Sequence, residues 1–207
     1  MQVGVTTEDN SLLFVTLKEM QPYGGSVMKK LKLETQRLVL RPWELYDVDD
    51  LVDGLNNIEV SKWLAFVPYP YTKEHAEFFI NMAANSKDLE FAIVLKSEDR
   101  VIGGVSISNI SKIHGTAGGG IWLNEKYHGL GYGTEAFGKR IEFAFQELKL
   151  RRLENGYFRG NEKSWQMQKK FGYKQEGIKR KKFVCMATGL AEDEYITGLL
   201  KEEWIKQ

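Results

Sequence analysis

With a single cysteine, Cys185, the chain cannot close an intramolecular disulfide or build a cysteine-rich metal site, which suits a reducing compartment. An excess of either charge is missing as well. Its 29 basic and 28 acidic side chains leave a net charge of +1, so no global field draws it to nucleic acid or an anionic membrane, and any polyanion site has to be local. No stretch approaches the roughly 18 apolar residues of a membrane span. The short apolar patch at residues 12–15 follows Glu8 and Asp9, the wrong flank for a secretory signal. These absences set the expectation of a cytoplasmic protein with no metal, no nucleic-acid partner and no membrane partner. What is present, 43% hydrophobic and 28% charged residues over 207 positions, is the balance of one packed domain.

Residues 1–27 read differently from the rest: a polar opening, one apolar patch, then Pro22, Gly24 and Gly25. Met28-Lys29-Lys30 looks like a second N-terminus, and Gly24-Gly25 just ahead of it is what a ribosome-binding site translated in frame would give. The functional domain is expected over 28–207, with 1–27 as an appendage; the alternative is a short extra strand packed on the sheet.

From residue 32 onward the elements follow in order. Leu38 and Leu40 alternate with Arg37, Val39 and Arg41 in a strand that ends at Pro42. Asp47, Asp49 and Asp50 open a helix holding Leu51, Val52 and Leu55, where the helix dipole favours acidic groups. Pro68-Tyr69-Pro70-Tyr71 is a loop, and Thr72 with Glu74 and Glu77 starts a second helix carrying Ala76, Phe78, Phe79 and Met82. Two strand-like runs, 91–95 and 101–107, flank turn residues and form a hairpin. Gly118-Gly119-Gly120 leads into a short strand, Ile121-Trp122-Leu123. After Gly129-Leu130-Gly131-Tyr132-Gly133, the spacing of Ala136, Phe137, Ile141, Ala144, Phe145 and Leu148 predicts a long amphipathic helix. A strand at 153–158, a helix from Asn161 stopped by Gly172, and strands at 173–184 and 195–200 close the chain.

Three glycines at alternate positions before a helix let the backbone approach a bulky anion, since no Cβ stands in the way. The helix start adds about four unpaired N–H groups and the positive end of the dipole. Together they favour phosphate; a plain flexible loop is the alternative. The dinucleotide fingerprint, and with it a nucleotide-binding oxidoreductase, fails because Thr134 stands where its third glycine belongs, and no Gly-Lys-Ser/Thr of a P-loop is present.

The run from Glu125 to Ala136, Glu-Lys-Tyr-His-Gly-Leu-Gly-Tyr-Gly-Thr-Glu-Ala, resembles the pyrophosphate-binding motif of the GNAT acetyltransferase superfamily, in its RimJ/RimL-like form. Residues 33–42, with Thr-Gln-Arg-Leu-Val-Leu-Arg-Pro, resemble the opening strand of that branch, residues 68–79 its segment before the second helix, and residues 161–173 its Asn-x-x-Ser helix ending in Gly-aromatic. The resemblance runs from about residue 32 to the C-terminus. It departs at His128, where the superfamily usually has Arg or Gln. It implies an α/β (α+β) GNAT fold: a mixed central sheet of about seven strands, splayed between the fourth and fifth and flanked by helices on both faces. It also implies acetyl-CoA as cosubstrate, a primary amine as acceptor, and a monomer or homodimer.

By resemblance, Ile121, Trp122 and Leu123 form the strand that pairs with the pantetheine arm, with the Leu123 backbone amide facing the thioester oxygen, where a donor is worth several kcal/mol of barrier. His128, Gly129, Leu130, Gly131, Tyr132, Gly133 and Thr134 hold the pyrophosphate. Asn161 contacts pantetheine and is also an ordinary helix N-cap. Ser164, one turn later, is the candidate proton donor to the departing thiolate, since the tyrosine many relatives place four residues further on is here Gln168; a helix-surface serine is the alternative. Trp63, Tyr69 and Tyr71 are candidate aromatic walls for the acceptor, with core packing as the other reading of Trp63. His114 and His128 are the imidazoles of the central region that could act as a base, with a structural role as the other reading of each. The basic run at 179–182 suits an acidic acceptor, the CoA 3′-phosphate or a solvated strand edge. An α-amine costs only about 1 kcal/mol to deprotonate at pH 7 and a lysine about 4 to 5. Retention of both Asn161 and Ser164 favours catalysis over the alternative, a non-catalytic module that binds CoA or acetyl-CoA.

Overall fold

The computed structural model describes the backbone of residues 2–6 and 12–16 and the whole of residues 31–205, and among these the main sheet has nine strands. Strands β1 (Gln2–Thr6) and β2 (Leu12–Thr16) pair antiparallel as a separate two-stranded sheet. The boundary expected near Met28 lies outside the described residues.

The main sheet opens with β3 (Leu33–Glu34) and β4 (Leu38–Pro42), paired antiparallel. Helix α1 (Val48–Leu55), the single turn α2 (Ile58–Ser61) and α3 (Lys73–Asn85) follow. The hairpin is β5 (Leu89–Leu95) and β6 (Arg100–Ser111). Next come β7 (Thr116–Gly118), β8 (Ile121–Leu123), α4 (Tyr132–Gln146), β9 (Arg152–Phe158) and α5 (Glu162–Lys170), and the chain closes on β10 (Lys174–Val184) and β11 (Ala191–Leu200). The order across the sheet is β10-β11-β9-β7-β6-β5-β4-β3, with β8 also on β6. Seven strands were expected. The two extra ones are the two-residue β3 and β7, a piece cut from β8 by a break at Gly119.

That break is forced by geometry. Gly119 sits at φ 129°, and a Cβ there would lie 2.1 Å from the Ser106 carbonyl oxygen. The fully buried Arg140 of α4 spans the break, donating to Ser106 O at 2.6 Å and Gly118 O at 2.7 Å. Backbone carbonyls thereby satisfy a buried cation, and the cation holds the kink.

Each face of the sheet is apolar and covered. Leu38, Leu40, Phe91, Ile93, Val105 and Leu153 pack against Ala136, Phe137, Ile141, Ala144 and Phe145 of α4 and Phe171 beyond α5. On the other face Trp43, Ala92, Val94 and Val101 pack against Leu51 and Leu55 of α1 and Ala76 and Ile80 of α3. Each large side chain so buried contributes about 1.5–3 kcal/mol. Helix α3 is less amphipathic than its sequence suggests: Phe78 and Met82 lie on its exposed side. Leu148 falls beyond the end of α4 and is half-buried. Among the described residues no helix is long and apolar enough to cross a membrane.

Candidate active site

The pairing of β7 with β9 is parallel and stops after two residues, Thr116 opposite Arg152 and Ala117 opposite Leu153. From there β9 runs on to Phe158 beside β11, while β8 pairs with β6. The sheet therefore opens between β8 and the outer half of β9, the fourth and fifth strands of the sequence-based count. Hydrogen bonds from Asn124 N–H to Ile102 O and from Ser106 N–H to Gly120 O, both 2.9 Å, set which groups of β8 face the gap. In an antiparallel ladder alternate residues turn their polar groups to the partner, so Gly120, Trp122 and Asn124 face β6. Ile121 and Leu123 present their N–H and C=O to the opening. Of the three strand residues expected at the site, Trp122 differs: its backbone faces β6 and its ring is on the opposite face, stacked on Trp43 at 6.4 Å.

At the end of β8 the chain turns through Asn124 and reaches His128, whose Nε2 lies 2.9 Å from Leu123 O. A carbonyl only accepts, so this nitrogen carries the hydrogen. The imidazole is thereby tied to the edge of the opening. His114 lies on the β6–β7 turn, at the closed end of the splay, which removes it as a base for chemistry beside Leu123.

Gly129 and Gly131 adopt φ 77° and 85°, and Gly131 is the residue from which α4 starts. The N–H groups of Tyr132, Gly133 and Thr134 have no acceptor within the helix, as in any first turn. The glycine loop leaves them open to an anion, with the helix dipole behind them. Leu130 has an exposed side chain, and its carbonyl accepts from Arg37 Nη1 at 3.0 Å. Arg37 also donates Nε to Glu135 Oε2 at 2.7 Å and stacks its guanidinium 4.3 Å from the Tyr132 ring centre. Thr35 adds a hydroxyl bond to Glu135 Oε1 at 2.6 Å. A hollow of about 510 Å³ adjoins this helix start, bordered by Gly131, Thr134, Gly138, Lys139, Lys170 and Trp204.

Helix α5 supplies the other wall. Asn161 caps it, its Oδ1 accepting from Ser164 N–H at 3.2 Å, as expected of an N-cap. Ser164 is half-buried, and its Oγ accepts from Gln168 Nε2 at 3.1 Å. A turn further on, Met167 approaches Gly133: a Cβ on that glycine would lie 3.8 Å from the Met167 sulfur and 3.2 Å from Leu123 Cδ1. The strand edge, the glycine helix and the serine helix thus meet at one place.

The aromatic candidates divide. Tyr69 is exposed at 46%, and Trp63 is half-buried with its ring beside Gly160, at the β9–α5 junction. Tyr71 does not line an acceptor wall: it is 5% exposed in the core under α1 and α3, and burial pushes its phenol up to about 12. Its period-breaking neighbours Pro68 and Pro70 made the segment read as loop while the ring itself turns inward. Cys185 is fully buried with its sulfur against the carbonyls of Ser61, Lys62 and Leu64, a packing role. Lys179, Arg180, Lys181 and Lys182 are exposed on β10, the edge strand, and Lys182 pairs with Glu194 at 2.8 Å. Sequence reasoning missed the Arg37–Glu135 brace, the buried Arg140 and Glu90, because each depends on neighbours that only the fold brings together.

A helix start with open amides, set before a gap in the sheet and faced by a serine helix, is an arrangement suited to an acyl-group transferase. The chain belongs to the GNAT acetyltransferase family: the model of the acetyltransferase (GNAT) domain matches residues 37–174. It is 29% identical over 175 residues to uncharacterized N-acetyltransferase p20 of Bacillus licheniformis, covering 83% of this chain and 97% of that one. With uncharacterized N-acetyltransferase YnaD of Bacillus subtilis it shares 28% over 175 residues, 84% of this chain and 99% of the other. The crystal structure of the GNAT-family acetyltransferase from Bacillus anthracis superposes with a TM-score of 0.73 at 25% identity, covering 84% of this chain and all of that one. The protein is an acetyltransferase, and its family draws acetyl from acetyl-CoA and delivers it to an amine.

Proposed function

We propose that this chain, as an enzyme of the RimJ/RimL-like branch, transfers acetyl directly from acetyl-CoA to a primary amine, on a protein N-terminus or a small molecule. The observation that carries the reading is the direction of the Ile121 and Leu123 backbone groups, which point into the splay in front of the amides that start α4. The amides of residues 129–134 take the pyrophosphate. The edge of β8 aligns the pantetheine arm as an added strand would, and Asn161 adds its side-chain amide. The Leu123 N–H faces the thioester oxygen and stabilises the charge that grows there, a kind of contact typically worth about 3–4 kcal/mol.

In the reaction the amine nitrogen attacks the carbonyl carbon, a C–N bond forms, and the C–S bond breaks with its electron pair leaving on sulfur. The Ser164 hydroxyl sits at the α5 wall to donate to that sulfur. The amine gives up one proton and the sulfur takes one, so the balance closes without any other reagent. Trp63 and Tyr69 border the acceptor side.

Thiol release from acetyl-CoA against a panel of peptides and small amines tests the proposal, together with calorimetry of CoA. Turnover on an amine, reduced about 100-fold in Ser164→Ala with CoA affinity at pH 7 kept, supports it. Tight binding of acetyl-CoA with no turnover on any amine would instead support a binding module, and no affinity for CoA would end both readings.

A further inference from the structure

We propose that Gln168, itself held by Thr197, is a positioning residue that fixes the Ser164 hydroxyl as a donor to the CoA sulfur. This rests on the reading of Ser164 given above. Gln168 and Thr197 are both 0% exposed, one on α5 and the other on β11, in a region otherwise packed with Phe171 and Leu199.

Two distances orient the chain of bonds. Thr197 Oγ1 lies 2.6 Å from Gln168 Oε1, and Gln168 Nε2 lies 3.1 Å from Ser164 Oγ. A separation of 2.6 Å belongs to an O–H donor on an oxygen acceptor, and 3.1 Å is ordinary for N–H on oxygen. The amide therefore has its oxygen toward the threonine and its nitrogen toward the serine, and the reverse flip would put an N–H into the shorter gap. Thr197 donates to Gln168, and Gln168 donates to Ser164.

Consequently one lone pair of the Ser164 oxygen is taken, while its hydrogen has no protein acceptor among the described residues. A serine inside a helix ordinarily spends that hydrogen on the carbonyl one turn back. Here the incoming bond from Gln168 occupies one lone pair and leaves the hydroxyl hydrogen for a ligand, on the helix whose Met167 approaches Gly133. For a purely structural pair at these two buried positions, apolar side chains of the same shape can be nearly as stable. A relay ending on a half-buried hydroxyl at the edge of the splay is accounted for by the sulfur it addresses.

The test needs no acceptor. Calorimetry compares CoA with desulfo-CoA from pH 7 to 9, so the difference isolates the sulfur. A donor that prefers the thiolate lowers the bound thiol's pKa by about one unit, so the wild type should favour CoA over desulfo-CoA about sixfold more at pH 9 than at pH 7. Ser164→Ala should abolish that margin, and Gln168→Leu should cut it to about twofold, a neutral hydrogen bond left to chance orientation being worth little. The double variant should match Ser164→Ala alone. Desulfo-CoA affinity checks that the site is intact; should Gln168→Leu fail to bind it, Thr197→Val, which only exchanges a hydroxyl for a methyl, carries the test with the same expected loss. If Gln168→Leu keeps the wild-type margin while Ser164→Ala loses it, or if the two losses multiply in the double variant, the role of Gln168 is overturned and Ser164 stands. If Ser164→Ala keeps the margin, or the wild type shows none, the reading of Ser164 fails as well.

Discussion

Arg37 and Glu135, 98 residues apart in the chain, hold the glycine turn in place: the Arg37 amide and Nε donate to the two carboxylate oxygens at 2.8 and 2.7 Å. The same guanidinium bonds the Leu130 carbonyl and lies on the Tyr132 ring, so one side chain touches both the turn and the first residues of α4. Desolvation would push the Glu135 carboxyl up, but the bonds from Thr35 and from the Arg37 amide and guanidinium outweigh it and hold the group below the usual carboxylate range. A depressed carboxylate stabilises the fold above its ordinary value, and that contribution is lost as pH falls through its lower folded value. Arg37→Met should therefore cost about 1 kcal/mol at neutral pH, the pair being partly exposed, and the gap to wild type should narrow in acid below about pH 4. Urea unfolding at pH 7 and pH 3.5 reads this. CoA affinity, read by calorimetry, should drop about tenfold because the loop loses its brace. An unchanged affinity would mean the loop keeps its shape without Arg37.

Gly131 tests the amide cradle itself. Its φ of 85° is strained for any side chain, and a Cβ there would come 3.3 Å from Arg37 Nη2. Gly131→Val should cost about 1–2 kcal/mol of stability and weaken CoA by more than about tenfold, since the branched residue turns the amides away from the anion. Equal affinity in wild type and variant would remove the glycine turn from the binding site.

Gly54 of α1 offers a case where helix propensity gives the wrong sign. In an exposed helix Gly→Ala gains about 0.5–1 kcal/mol. Here the new Cβ would lie 2.6 Å from Trp122 Cζ3, in a slot that Gly54 shares with Gly104, whose own Cβ would meet the same indole at 2.7 Å. The ring is also stacked on Trp43 and has little room to yield. Gly54→Ala should destabilise by about 1–3 kcal/mol, as overpacking does, and should shift the Trp fluorescence on a thermal scan. A gain in melting temperature would show that the slot is looser than the contacts imply.

The order of elements was legible because it rests on local signals, whereas the splay followed only from the family resemblance. Asn161 reads as an N-cap from type and position, the glycines before α4 read as a turn, and apolar spacing marks Phe137, Ile141 and Phe145 as the inner face of the helix. Legibility failed where a side chain's partner lies far away in the chain. Arg140 looks like a solubilising residue on an amphipathic helix, and only the break at Gly119 reveals the two carbonyls that it satisfies. Tyr71 follows a proline loop and reads as a wall for the acceptor, yet α1 and α3 close over it. Gln168 reads as a lost tyrosine, and its bonds to Ser164 and Thr197 exist only once α5 has docked on β11.

Glu90 carries a penalty that a neutral isostere would lift. It lies on β5 opposite Ser106, on the face covered by α1 and α3, and burial first and the nearby Asp88 second push its carboxyl up to about 7. Asp88 is itself engaged with the Asn109 amide at 2.8 Å. In the unfolded chain a glutamate gives up its proton near its ordinary value, so between that value and about 7 the native state binds the extra proton. The stability tied to that proton is complete below the unfolded value and is lost as pH rises through the folded one. Glu90→Gln, which keeps the shape and never ionises, should match wild type near pH 4 and exceed it by about 1–3 kcal/mol at pH 8, the upper end applying if water does not reach the group. Chemical denaturation at both pH values measures the difference. Parallel pH profiles for the two proteins would show that the Glu90 carboxylate is solvated in the folded state and that its proton plays no part in stability.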